Sequence, residues 1–130
     1  MTAASAYRRM NVGTSSSSQI MVTLFQAAMG HMRASAGALE GGDLKRGSEL
    51  AEKAASIVLG LQGTLNKEVA PELCERLSEL YTFVACRLGI AGARFSVRHV
   101  REAERVFAPI AEAFIQVGSN PSPADASAVR

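Results

Sequence analysis

PELCERLSELYTFVACRLGIAGAR, residues 71–94, decides the fold of this chain. Leu73, Leu77, Leu80, Val84 and Leu88 recur at steps of three and four, the spacing that puts side chains on one face of an α-helix. Pro71 suits the first turn, where no N–H is needed, and Glu72 with Arg76 forms a supporting pair four residues apart. The glycine of AGAR marks the expected stop. Phe83 and Ile90 fall seven residues apart on the flank, off the line through Leu77 and Val84.

The same period extends in both directions, with no internal repeat and no strand-like alternation. Ile20, Met21, Leu24, Phe25, Ala28 and Met32 predict a first helix that starts near Ser16, where Ser16 and Gln19 have the spacing of a capping box. EGGD at 40–43 ends it, and Asp43 is placed to cap the next helix. There Leu50, Ala54, Ile57, Leu61 and Leu65 line one face, until NKEVAP at 66–71. A fourth helix from about Ser96 turns Val97, Val100, Ala103, Phe107, Ile110, Phe114 and Val117 inward. Pro109 predicts a kink in it but no break, because the period continues in phase.

Helices of this length joined by short connections favour antiparallel neighbours. The expected fold is therefore all-α, an antiparallel up-down four-helix bundle with an extra N-terminal segment. Residues 1–15 are expected to be a mobile segment, 16–118 the bundle, and 119–130, small, polar and proline-marked, a disordered tail.

Composition narrows the function. The chain has 130 residues, 48% of them apolar, and a net charge of +2 with basic and acidic residues interspersed. That is enough apolar content for one core, and no basic stripe tracks a nucleic-acid backbone. No apolar run reaches the roughly 18 residues of a membrane span, and the N-terminus lacks the apolar stretch of a signal peptide. The cytoplasm is the default address. Cys74 and Cys86 share the third helix about 18 Å apart along its axis, too far to bridge, and read as reduced thiols.

The motifs of catalysis are not found. Neither His31 nor His99 has a glutamate three residues before it, as a di-iron bundle requires, and no glycine cluster cradles phosphate. The sequence therefore leads us to expect no catalytic residues, no metal and no cofactor. A histidine phosphotransfer or other signalling bundle using His31 is the alternative, although Ala34 and Ser35 stand where a basic residue and a glycine are wanted.

Missing charge says more. No charged residue lies between Arg9 and Arg33, and AASIVLGLQGTLN, residues 54–66, carries none either. A helical projection puts Leu59 opposite Leu50, among Ser48, Ala55, Ser56, Gln62 and Gly63. A small, apolar back of this kind suits a partner helix. Ala55, Val58, Leu59 and Gln62, widened by Phe83 and Ile90, form the expected groove.

Several elements then occur in an order that resembles the FliS-type flagellar secretion chaperones, over residues 6–117. They are AYRR at 6–9, SSSSQIMVTLFQAAMGHMRAS at 15–35, LEGGDL at 39–44, TLNKEVAPELCERLSELYTFVACRL at 64–88 and AERVFAPIAEAF at 103–114. Ala4, Ser18, Gln26 and Phe114 depart from the family's usual residues. The resemblance implies a bundle that binds the disordered C-terminal segment of flagellin in the cytoplasm, prevents its premature polymerisation and supports its export by the flagellar type III secretion system. It implies that Tyr7 anchors an N-terminal lid over the binding surface. It leaves the export gate and other flagellar regulators open as further partners, and a monomer or weak homodimer as the free state.

Overall fold

The computed structural model describes residues 13–119. Tyr7, with its expected role as a lid, and the tail 120–130 lie outside the described residues. Four helices make up the rest: α1 (Gly13–Glu40), α2 (Leu44–Gly63), α3 (Pro71–Arg94) and α4 (Val97–Ser119). There is no strand among the described residues, and the fold is the expected all-α four-helix bundle.

Local chemistry accounts for the boundaries. α1 is already helical at Gly13, three residues before the expected start, so Ser16 lies inside the helix and is not its cap. Serine costs a helix interior only a few tenths of a kcal/mol, about 0.5, so a serine run does not stop one. The C-terminus of α1 is a Schellman turn: Asp43 N–H donates to Ala38 O at 2.8 Å, Gly42 N–H to Leu39 O at 3.1 Å, and Gly42 takes φ +87°. Asp43 then caps α2, its side chain accepting from Arg46 N–H at 3.3 Å. Pro71 opens α3 as expected.

α3 runs past Gly92 to Arg94, because Gly92 has another task. A Cβ there would stand 3.3 Å from Ser48 Oγ, so the glycine lets α2 and α3 approach. The left-handed turn falls instead on Phe95, at φ 55°. Ser96 starts α4, its hydroxyl accepting from His99 N–H at 3.3 Å and meeting His99 Nδ1 at 2.7 Å. Pro109 lies within α4 without ending it.

The chain packs as two compact units. In the larger, residues 27–110, cross-helix contacts fix antiparallel neighbours. Ser48 Oγ donates to Gly92 O at 2.9 Å and Gln62 Nε2 to Ser78 O at 2.8 Å, so α2 and α3 run in opposite senses. Tyr81 with Phe107 (ring centroids 6.2 Å apart) and Arg87 with Glu102 set the same relation for α3 and α4. Arg33–Glu104, Glu104–Arg101 and Arg101–Glu40 chain α1 to α4. Ser35 Oγ, fully buried, donates to Gly47 O at 2.7 Å and pins α1 to α2.

The core corrects several expected phases. On α2 the buried line is Gly47, Leu50, Ala51, Ala54, Val58 and Leu61, while Ile57 and Leu65 are half-buried. Packing by α1 on one side and α3 on the other rotates the buried arc onto Val58. On α3, Cys74 and Tyr81 are buried, whereas Leu73 and Leu80, expected inside, are exposed. In the smaller unit, residues 13–26 of α1 and 111–119 of α4 meet with Phe25 stacked on Phe114, centroids 5.1 Å apart and planes at 6°. Ile20, Phe114 and Val117, also expected inside, are exposed. Two helical segments alone cover one strip of each other.

Candidate functional site

The surface on which the expected residues lie is built on the antiparallel pair α2–α3. Ser48, Ala55 and Gln62 follow one another at two-turn intervals along α2, and hydrogen bonds from the outer two draw the line of contact with α3. The Gln62 amide nitrogen stands 2.8 Å from Ser78 O, 3.0 Å from Ser78 Oγ and 2.8 Å from Thr82 Oγ1. Its two hydrogens are thus committed within the fold. Gln62 and the half-buried Ala55 form the floor of a seam and offer a partner little hydrogen bonding.

Leu59 rises beside this seam at 51% exposure. Ser56, Gly60 and Gly63 around it are exposed as well. Nothing lies within 4 Å of where a Cβ would stand at Gly60, Gly63 or, on α3, Gly89. A glycine inside a helix costs about 1 kcal/mol relative to alanine, and no contact within the described chain calls for one at these three places. Val58 leaves the set: it is fully buried, one residue and about 100° round the helix from Leu59.

Phe83 and Ile90 stand farther out on α3. Thr82 meets Gln62, so Phe83, one residue on, is turned about 100° away from α2. It is 37% exposed, and Ile90 is half-buried. They extend the surface beyond the seam and do not form its opposite wall. Arg87 Cζ lies 4.9 Å over the Phe83 ring, and Arg87 Nε is 3.6 Å from Glu102 Oε1 on α4. Sequence reasoning missed this buttress because half of it comes from α4. Cys86, exposed, lies on the face of α3 between Thr82 and Phe83, while Cys74 is buried with its thiol 3.2 Å from Asn66 O.

Elsewhere, His31 is half-buried on α1, and the nearby Arg33 is engaged with Glu104 at 3.2 Å. Burial pushes the Tyr81 hydroxyl up to about 12 from its ordinary 10.0. Among the described residues no three His, Cys, Asp or Glu side chains gather into a metal-binding group, and no helix is long and apolar enough to cross a membrane.

A helical bundle that displays an uncharged apolar face belongs, as a class, with proteins that hold other chains. The comparisons with known proteins give that class its name. Residues 1–121 match the family described as Flagellar protein FliS, and the chain belongs to this family of flagellar secretion chaperones. It is similar to the flagellar secretion chaperone FliS of Salmonella typhimurium, with 32% identity over 112 residues, 85% of this chain and 83% of that protein.

Proposed function

We propose that this flagellar secretion chaperone binds the C-terminal segment of flagellin in the cytoplasm, keeps it from polymerising and delivers it to the flagellar type III secretion system. The observation that carries the reading is the α2 surface around Leu59: half-exposed, free of charge from Ala54 to Asn66, and flanked by glycines that no contact among the described residues requires. An amphipathic segment that cannot bury its own apolar face needs such a ready surface. Folding on binding costs a few kcal/mol, roughly 2–5, which keeps the affinity modest and the cargo releasable.

Ala55, Leu59, Gln62, Phe83 and Ile90 are the proposed contact residues. Tyr7 is the proposed anchor of a lid, on a segment 1–15 that precedes the bundle at 16–118 and its tail at 119–130, in a monomer or weak homodimer. A lid lowers apparent affinity in proportion to the fraction of molecules that are open. The export gate and other flagellar regulators are the further partners to be sought.

Co-expression pull-down with the organism's flagellin, full-length and tail-deleted, tests the reading: retention of the full-length protein alone is expected, and equal retention of both refutes it. Leu59→Asp should weaken titrated tail binding by about tenfold or more, since burying a leucine contributes about 1.5–3 kcal/mol, with the melting temperature unchanged. Unchanged affinity would place the contact elsewhere.

A further inference from the structure

Helix α3 carries two apolar rows, and the fold covers one of them. Cys74, Leu77, Tyr81, Val84, Leu88 and Ala91 recur at alternating steps of three and four, and all are buried. One residue earlier, hence about 100° round the helix, a second row repeats the same alternation: Leu73, Leu80, Phe83 and Ile90, with Arg76 and Arg87 interleaved. Such a three–four alternation keeps one line of side chains facing one neighbouring helix. Among the described residues this line has no such neighbour. Leu73 is 56% exposed and Leu80 40%.

The charge along the row has one sign. Arg76 and Arg94, which closes the row at the end of α3, are exposed and take no part in the ion pairs among the described residues. Arg87 is held by Glu102 and backs the Phe83 ring, so the aromatic anchor is braced before any partner arrives. The acids of α3, Glu72, Glu75 and Glu79, belong to the next row round, on the side toward α2. From Leu73 to Arg94 the line is about 30 Å long, the length of a three-heptad helix.

We propose that this row is the docking seam for an amphipathic helix of a partner protein whose apolar edge is flanked by acidic residues. Leu73, Leu80, Phe83 and Ile90 receive the apolar edge. Arg76 and Arg94 pair with the flanking carboxylates. A second copy of this chain does not fit, because two such rows would set six arginines along one seam with no carboxylate in either row to pair them. The inference rests on the proposed function only in taking Phe83 and Ile90 as contact residues; it adds the line of the contact and the charge of the partner.

The test uses the full chain and a fluorescently labelled designed helix of three heptads, with leucine at the alternating positions and glutamate beside them, and a twin carrying lysine for glutamate. Anisotropy titration should show saturable binding of the glutamate helix, at least about tenfold tighter than its twin, and weakened by added salt. Leu80→Asp should weaken it by about tenfold or more. Arg76→Glu should cost about threefold. Leu73→Asp, at the more exposed position, repeats the Leu80 test where folding is least at stake, with circular dichroism as the check. Equal binding of the two helices, or full binding by folded Leu73→Asp and Leu80→Asp, overturns the seam. Flagellin-tail binding is scored separately: a tail that binds while the helices are not discriminated overturns the seam alone, and discrimination without tail binding overturns the proposed cargo alone.

Discussion

Gly47→Ala should destabilise this protein although alanine is the better helix former. In an open helix position the exchange stabilises by about 0.5–1 kcal/mol. At Gly47, within α2, the new Cβ would fall 2.5 Å from both Cγ and Cδ2 of Leu39 and 3.2 Å from its backbone nitrogen. The side-chain clash is relieved by turning Leu39, which is only 6% exposed, so part of its burial is lost. The backbone contact is relieved only by moving α1 away from α2. The 2.7 Å hydrogen bond from Ser35 Oγ to Gly47 O resists that movement. Overpacking of a core costs about 1–3 kcal/mol, and after the propensity gain a net loss of about 1–2 kcal/mol remains. Urea unfolding followed by far-ultraviolet circular dichroism measures it, and the melting temperature should fall by about 3–8 °C. Adding Leu39→Ala to Gly47→Ala should cost less than the sum of the two single changes, by about 1 kcal/mol. A Gly47→Ala protein as stable as the parent, or more so, would refute the close approach of the helices at this corner.

Phe95→Gly should stabilise by about 0.5–1 kcal/mol in the same urea assay, because glycine takes the left-handed φ of 55° without the strain a side chain brings there. A loss of stability would mean that the half-exposed ring contributes more than its backbone costs. Tyr81 is neutral when protonated, and its folded-state pKa of about 12 lies above the ordinary 10.0, so its contribution is intact below pH 10 and is lost as pH rises toward 12. Unfolding measured across that window should show a decline on the order of 2 kcal/mol that Tyr81→Phe removes; an equal decline in the variant would assign it to other groups. Val58→Ala should cost about 2 kcal/mol, whereas Leu59→Ala, its exposed neighbour, should stay within about 0.5 kcal/mol. Equal effects at the two positions would undo the phase of α2.

The number of helices, the Asp43 cap and the Pro71 start were legible because each depends on local spacing or on a residue with a single structural habit. The phase of α3 was not, since Leu73 and Leu80 look more core-like than Cys74 and Tyr81 when hydrophobicity alone is counted. Charge held the missing signal: the row of Leu73 contains Arg76, Arg87 and Arg94, and the row of Cys74 contains no charge at all. Leu59 was readable as an outward residue because it projects opposite Leu50. The hold of Arg87 on Phe83 was not, because Glu102 arrives from another helix. The turn at Phe95 escaped for a related reason. Gly92, the residue a turn would ordinarily use, is needed for the approach of Ser48.

Pro109 has no N–H to give, so the carbonyl of Arg105 goes without its partner in the ladder of α4. Beyond it, Ala111 is the one buried residue of 111–118, and Val117 is 62% exposed. A helix end that follows a missing ladder bond and has so little apolar area covered opens in isolation, while Val100, Ala103 and Phe107 wait for the whole core to come apart. The final turns of α4 are therefore a separate foldon, with amides that exchange well ahead of the others, and each opening strips the stacked Phe114 from Phe25 and wets a ring that is otherwise dry.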